Sequence, residues 1–480
     1  MKESEISRKV LSGLKWTAML RILGQIINWG MSIIVIRYIR PEEYGLKSMA
    51  EITIGLLMMF SSGGMESSII HVKELTKDKI SKIFGLLIAI NLLLFVLQIV
   101  GAYPLADYYK DTRITLLVQV MALGFLLVPF AAIPSALLSR DMDYRLLSSV
   151  SLITNIIGAV CTLIMALNGF GVWSLVSGPL LTSLLNAVIM NVYKPCLTLP
   201  MFSFDGISDM ALFGGMLVLT SLLWLIFSRS DIFIAGRFLS AHEVGIYAVA
   251  LHLASLPVDK IIPILNQVAF PAYAKLRDNP NAVSKYFLLA VRLTSLVLFP
   301  ISFGLAGISY LLVPMILGNE WSDVAPLLLI LCLVFPLRGI SMLCAPMTNA
   351  LGKPQIQLNL VIIASVLMVS GFYFGVKFGI LGLVLVWAYI YPWIMLCNLW
   401  LSKNVIGLSL FSIIRAMASP LLMATVMIFG LLCFTSLDIV IINNWITIGV
   451  LVTTGAFIYI MGMYVISKPR LFELKDLVRR

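Results

Sequence analysis

Charge is scarce in this chain: 12% of its 480 residues are Asp, Glu, Lys or Arg, against 60% hydrophobic residues. That balance excludes a soluble protein of this length. Histidine is rarer still, at three. The six cysteines (Cys161, Cys196, Cys332, Cys344, Cys397, Cys433) show no CxxC spacing and none falls in an expected outer loop. Disulfides, metal sites and other cofactors are therefore not expected. No G-x-x-x-x-G-K-[ST] segment occurs, which argues against an ATP-driven pump. No connection between apolar runs exceeds about 16 residues, so there is no room for a soluble catalytic or nucleotide-binding domain, and the chain reads as a non-enzyme.

What remains is apolar sequence long enough to cross a bilayer many times. A span needs roughly 20 apolar residues to cross ~30 Å of hydrocarbon. Fourteen such runs are expected, centred near residues 25, 58, 92, 126, 157, 182, 220, 256, 300, 336, 367, 390, 422 and 454. The first is too long for a signal-peptide core, and Glu3 and Glu5 do not suit a cleavable leader. With the N-terminus in the cytoplasm, 23 of the 34 Lys and Arg fall on the inner side and seven, Lys47 among them, on the outer side. That bias supports an even span count with both termini cytoplasmic. It also accounts for the net charge of +11 through topology and anionic lipid, without nucleic acid.

The chain repeats itself. Residues 37–50, RYIRPEEYGLKSMA, return as residues 237–250, RFLSAHEVGIYAVA, with Arg37/Arg237, Glu43/Glu243, Gly45/Gly245 and Ala50/Ala250 identical. ALLSR at 136–140 echoes in NALGK at 349–353, and FGVWSLV at 170–176 in FGILGLV at 378–384. The repeats divide the chain into a six-helix lobe at 1–205, a second at 206–405, and two extra helices with a cytoplasmic tail at 406–480. Six spans per lobe put both lobes the same way up, so the substrate path is expected in the cleft between them. Duplicated halves of this kind mark a transporter that works by alternating access.

Arg40-Pro41-Glu42-Glu43-Tyr44-Gly45 reads as an outer turn, with Pro41 setting it and Gly45 easing entry to the next helix. Arg140-Asp141-Met142-Asp143-Tyr144-Arg145 reads as a solvated inner loop rather than a calcium loop, since no glycine or distal glutamate follows in register. Gly169-Phe170-Gly171-Val172-Trp173 reads as a minimal outer hairpin.

These words, with Glu74-Leu75-Thr76, Asp231-Ile232-Phe233-Ile234-Ala235-Gly236-Arg237 and Phe270-Pro271, resemble the polysaccharide-transporter branch of the MOP exporter superfamily, the Wzx-like flippases above all. The likeness runs over essentially the whole chain. It implies an all-α, MATE/MOP-like polytopic bundle of two pseudo-symmetric six-helix lobes plus two helices, in the bacterial inner membrane. It also implies a substrate: undecaprenyl-diphosphate-linked oligosaccharide, flipped for exopolysaccharide, capsule or O-antigen (lipopolysaccharide) synthesis. Membrane lipid and polysaccharide polymerase machinery are the partners that follow. A multidrug exporter of the same superfamily is the alternative. A polymerase or ligase would carry a large outer loop, which is missing here.

An ionisable group inside a span costs roughly 2.5–3.5 kcal/mol on insertion scales and should face a cavity or a partner. Arg21 (span 1) and Arg338 (span 10, after Pro336) are the leading candidates to grip the diphosphate, because a guanidinium matches phosphate oxygens in pairs. Arg21 has a second reading as a snorkelling residue, and Arg338 as a member of an internal salt bridge. Lys260 beside Asp259 in span 8 belongs either to a local charge network or to the substrate site, in a helix expected to break between Pro257 and Pro263. Arg229 joins the cationic candidates. Asp231 two residues on reads as structural or binding, Glu66 as a coupling-proton carrier or an inner-interface residue, and His252 as a proton relay or a structural histidine.

Overall fold

The computed structural model describes residues 20, 24–25, 27–61, 69, 76–195, 199–202, 227–436 and 444–479, and no strand occurs among them. Arg21, Glu66 and the Glu74-Leu75 pair lie outside the described residues. The helices are α1 (27–38), α2 (Pro41–Ser61), α3 (Lys77–Tyr109), α4 (Arg113–Arg140), α5 (Tyr144–Leu167), α6 (Val172–Tyr193), α7 (227–238) and α8 (Ala241–Lys275). They continue as α9 (Pro280–Leu317), α10 (Val324–Ser341), α11 (Cys344–Ala350), α12 (Gln355–Gly375), α13 (Gly379–Ile406), α14 (Leu410–Ser436) and α15 (Asn444–Arg479). Ten helical stretches among the described residues are long and apolar enough to cross a membrane; two of them are compound, Val324–Ala350 holding α10 and α11, and Gln355–Ile406 holding α12 and α13.

Local chemistry sets the helix ends. The Thr76 side chain accepts from the Lys79 N–H at the start of α3, Asp143 accepts from Leu146 N–H (3.1 Å) at the start of α5, and Asn279 caps α9 ahead of Pro280. The inner-loop reading of Asp141 and Asp143 thus resolves into a cap and an ion pair, since Asp141 Oδ2 meets Lys194 Nζ at 2.6 Å. Between α3 and α4 the Arg113 guanidinium, hydrogen-bonded to Asp111, holds that carboxyl below the usual carboxylate range, and it also meets Glu42 at 2.7 Å.

The repeated words have repeated jobs. Glu43 Oε2 accepts from Arg40 N–H (3.1 Å) and Glu243 Oε2 from Ser240 N–H (2.9 Å), so the repeated glutamate reaches back to the start of its own helix in both copies, with the Ser240 hydroxyl returning the bond to Glu243 N–H in the second. Gly171 and Gly379 both carry positive φ, 53° and 69°, where α6 and α13 begin. Only a residue without Cβ adopts that turn cheaply.

Three sequence expectations change. The turn before α2 is only residues 39–40, because the helix already starts at Pro41, a position where a missing N–H costs nothing. Gly45 therefore lies inside α2, and its bare Cα serves close packing rather than the turn. Lys47, counted on the outer side, stands in the second turn of α2 with its Nζ 2.5 Å from Glu51 Oε1. Finally, α8 runs unbroken for 35 residues through Pro257, Pro263 and Pro271. Each proline removes one backbone bond, a loss that a long membrane helix absorbs locally.

The chain separates into two compact units, Met1–Gly245 and Ile246–Arg480. In the first, α2, α3, α4, α5 and α6 pack on one another. Helices α5 and α6 cross where Gly158 and Gly178 each leave no space for a Cβ against Thr182 and Thr162 of the facing helix, and the Thr182 hydroxyl donates across to Thr154 O (3.3 Å). Small residues and hydroxyls are how helices associate in lipid, where hydrophobic burial offers no gain. Asn91 on α3 donates to Ser61 O at 2.8 Å, tying α3 to the end of α2.

In the second unit α9 packs along α10 and α14, with α15 against both α9 and α14. Asn398 on α13 donates to the Ser341 carbonyl (2.9 Å) and hydroxyl (2.8 Å), fixing α13 to the end of α10.

Candidate functional site

In the second unit, α10 ends its last turn with Arg338, half-buried among aromatic rings. Its guanidinium carbon lies 5.5 Å from the Phe335 ring centre and 5.9 Å from that of Trp387. Phe335 is one helical turn earlier on the same helix, whereas Trp387 comes from α13. Trp387 is itself fixed, because its Nε1–H donates to Tyr247 Oη (3.0 Å) and its ring packs on Phe335, Phe372 and Tyr391 at 5.4, 5.8 and 5.6 Å. Cation–π attraction of roughly 0.5–2 kcal/mol orients the guanidinium but consumes none of its N–H donors. Among the described residues Arg338 makes no ion pair, so the internal-salt-bridge reading finds no partner there. A partly buried cation whose donors meet no partner among the described residues presents a ready receptor for an anion.

The first unit holds a second charged group of residues. Lys47 and Glu51 pair on α2, the Lys47 ammonium lies 5.7 Å from the Tyr44 ring centre, and exposed Arg229 on α7 is within electrostatic reach of both Tyr44 and Lys47. Two cations and one carboxylate leave the group net positive. Arg229 was legible in the sequence. Lys47 and Glu51 were not, although an i,i+4 acid–base pair inside an apolar helix is the signal that finds them. Asp231, on the same helix as Arg229, is only 2% exposed, and its Oδ1 accepts from Ile232 N–H at 2.8 Å. It is thus used by its own backbone.

On α8, Asp259 is exposed and Lys260 half-buried. Consecutive helix residues diverge by about 100°, and Asp259 makes no ion pair among the described residues, so the expected Asp259–Lys260 network does not form through Asp259. His252 is half-buried two turns earlier.

Two cavities complete the picture. A polar cavity of about 430 Å³ in the first unit lies between the start of α1, the end of α4 and the start of α5. An apolar groove of about 500 Å³ in the second unit is formed by Pro300, Ile301 and Gly304 of α9, Met427 and Leu431 of α14, and Gly455 and Ala456 of α15, among others.

An all-helical membrane chain in two compact units, with an internal repeat and a partly buried cation, defines the class as a polytopic transporter. Residues 34–326, more than half of the chain, match the family model described as polysaccharide biosynthesis protein, and the chain belongs to that family. It is 26% identical over 440 residues to the teichuronic acid biosynthesis protein TuaB of Bacillus subtilis, covering 89% of each chain. To the lipopolysaccharide biosynthesis protein WzxC of Escherichia coli it is 24% identical over 346 residues, 70% of this chain and 68% of that one. The structure of the lipid II flippase MurJ in an inward closed conformation superposes with a TM-score of 0.77 at 14% identity, over 95% of this chain and 99% of that one. At that identity the likeness shows a shared fold. The Wzx-like resemblance read from the sequence thus has its counterpart in curated relatives, and the expected helical fold has its counterpart in a solved structure.

Proposed function

We propose that this protein flips undecaprenyl-diphosphate-linked oligosaccharide from the cytoplasmic to the outer leaflet of the bacterial inner membrane, by alternating access through a cationic cavity. The observation that carries this reading is Arg338, whose side chain makes no ion pair or hydrogen bond among the described residues and whose position is fixed by Trp387 and Phe335. A diphosphate brings about two negative charges, and the paired N–H groups of a guanidinium fit its oxygens. Arg21, placed by sequence in the first span, joins it in this reading, with Lys260 and Arg229 as further cations. The flipped glycan then meets polysaccharide polymerase machinery outside. A cation in this role disfavours export of cationic drugs.

The apolar groove on α9, α14 and α15 suits the polyprenyl tail, and gives the two helices outside the repeat a task. Lipid chains are as apolar as the groove, so the tail gains no hydrophobic transfer energy by entering it. The groove therefore guides the tail and its effect is on rate. Reconstitution in proteoliposomes with fluorescent lipid-linked oligosaccharide tests both statements. The wild-type protein translocates the lipid. Gly304→Phe with Ala456→Phe, which fills the groove, slows translocation about tenfold and leaves binding of the headgroup unchanged. An inert wild-type protein that instead confers drug resistance on cells overturns the flippase reading.

A further inference from the structure

The polar cavity of the first unit has a chemistry different from that of Arg338. Helix α5 presents Tyr144, Ser148, Ser151 and Asn155 to it, spaced by four, three and four residues, which is one helix face. Opposite stand Gln25 and Asn28 of the first helix. None of the described lining residues is charged; Leu20, Leu147 and Leu152 supply apolar patches between the polar groups.

Several of these groups have bonding capacity to spare. The Asn155 Nδ2 donates to Ser151 O at 2.6 Å and sits 3.3 Å from its Oγ, which turns Oδ1 away from the helix with nothing to accept from among the described residues. The Gln25 and Asn28 amides likewise make no hydrogen bond among the described residues. Asn28, Ser151 and Asn155 are exposed to the cavity rather than buried in packing.

The repeat supplies a control. At the offsets of 208 and 213 the counterpart of Asn155 on α12 is Ile363 or Met368, both apolar. The amide is therefore no requirement of the helix pair itself. It belongs to the first unit alone.

We infer that this face is a carbohydrate subsite: the α5 ladder of hydroxyls and amides, with Gln25 and Asn28, binds neutral sugar rings of the lipid-linked substrate. An uncharged wall of amide and hydroxyl groups suits sugar hydroxyls, which both donate and accept. Leucines between them suit the apolar C–H face of a pyranose, and the described lining residues offer a phosphate no cation. This inference rests on the flippase reading and concerns the glycan part of its substrate alone.

Two probes separate the assignments: bare undecaprenyl diphosphate, and lipid-linked oligosaccharide extracted from the producing bacterium with this gene deleted. Binding is measured to the purified full-length protein. Asn28→Ala with Asn155→Ala weakens binding of the oligosaccharide probe about tenfold, ~1.4 kcal/mol, and leaves the bare diphosphate unchanged. Gln25→Ala with Ser151→Ala repeats the pattern from other positions on both walls, so a local folding defect in one variant is recognised. Arg338→Ala weakens both probes. If the cavity variants weaken both probes alike, or neither, the carbohydrate subsite is wrong while the flippase reading stands. If the wild-type protein binds neither probe, the flippase reading fails and takes this inference with it.

Discussion

Arg338→Ala is expected to abolish polysaccharide assembly in cells while leaving the protein in the membrane at wild-type abundance. A charge-assisted hydrogen bond is worth about 1.5–3 kcal/mol, which converts to roughly a 10- to 150-fold loss of affinity for the diphosphate headgroup. Stability changes far less. The residue makes no ion pair among the described residues, so truncation leaves no orphaned carboxylate there. The cost is limited to cation–π contacts with Phe335 and Trp387, at most about 2 kcal/mol. Removing a charge from a span also makes insertion easier, on the order of 3 kcal/mol on insertion scales. Abundance and activity should therefore part company. Arg338→Lys keeps the charge and loses the planar fork, so it should recover only part of the affinity. Normal polysaccharide export from a stably expressed Arg338→Ala, Arg21→Ala double variant would remove the diphosphate grip altogether.

The helical membrane fold was readable in the sequence for a physical reason. Hydrocarbon forces each crossing into a continuous apolar helix, so runs of apolar residues report spans directly. The repeated words were readable as repeats but not as mechanisms. That Glu243 reaches back to cap its own helix follows from the Ser240-x-x-Glu243 spacing; Glu43 does the same for Arg40 N–H without a hydroxyl to announce it, and the start of its helix lies earlier than the turn chemistry suggested. Loop-based charge counting hid Lys47, because an ion pair with Glu51 lets a lysine sit inside the helix rather than in the turn before it. Proline counting misled at α8, since Pro257 and Pro263 fall where the helix tolerates two missing bonds.

The candidate site was readable only in its charges. Arg338 stands out in any list of intramembrane cations, but its orientation depends on Trp387, on a different helix, and Trp387 depends on Tyr247 on a third. No local pattern encodes such a chain of contacts. The α5 ladder is the opposite case. Its spacing was present in the sequence all along, masked by leucines that make the same helix an ordinary span.

The second large effect belongs to the glycine pair at the heart of the strongest repeat. In the first unit, which runs through Gly245, a Cβ on Gly45 would run into Ala241 O and lie 2.9 Å from Gly245 N, and a Cβ on Gly245 would run into Pro41 O and lie 3.0 Å from Gly45 N. The two first turns are thus pressed backbone to backbone, each glycine filling the gap that the other leaves. In a free helix, Gly→Ala stabilises by about 1 kcal/mol. Here the obstacle is a carbonyl of the main chain, which has no rotamer to escape into, so overpacking of about 1–3 kcal/mol or more prevails. Gly45→Ala and Gly245→Ala should each lower the thermal midpoint and sharply reduce transport. Because both close the same gap, the double variant should cost less than the sum of the singles. Gly55→Ala, on the same helix with no atom within 4 Å of its Cβ position, supplies the control and should be neutral or stabilising. Should Gly45→Ala prove as stable and active as Gly55→Ala, the paired glycines carry no packing role, and their identity in both copies of the repeat has another cause.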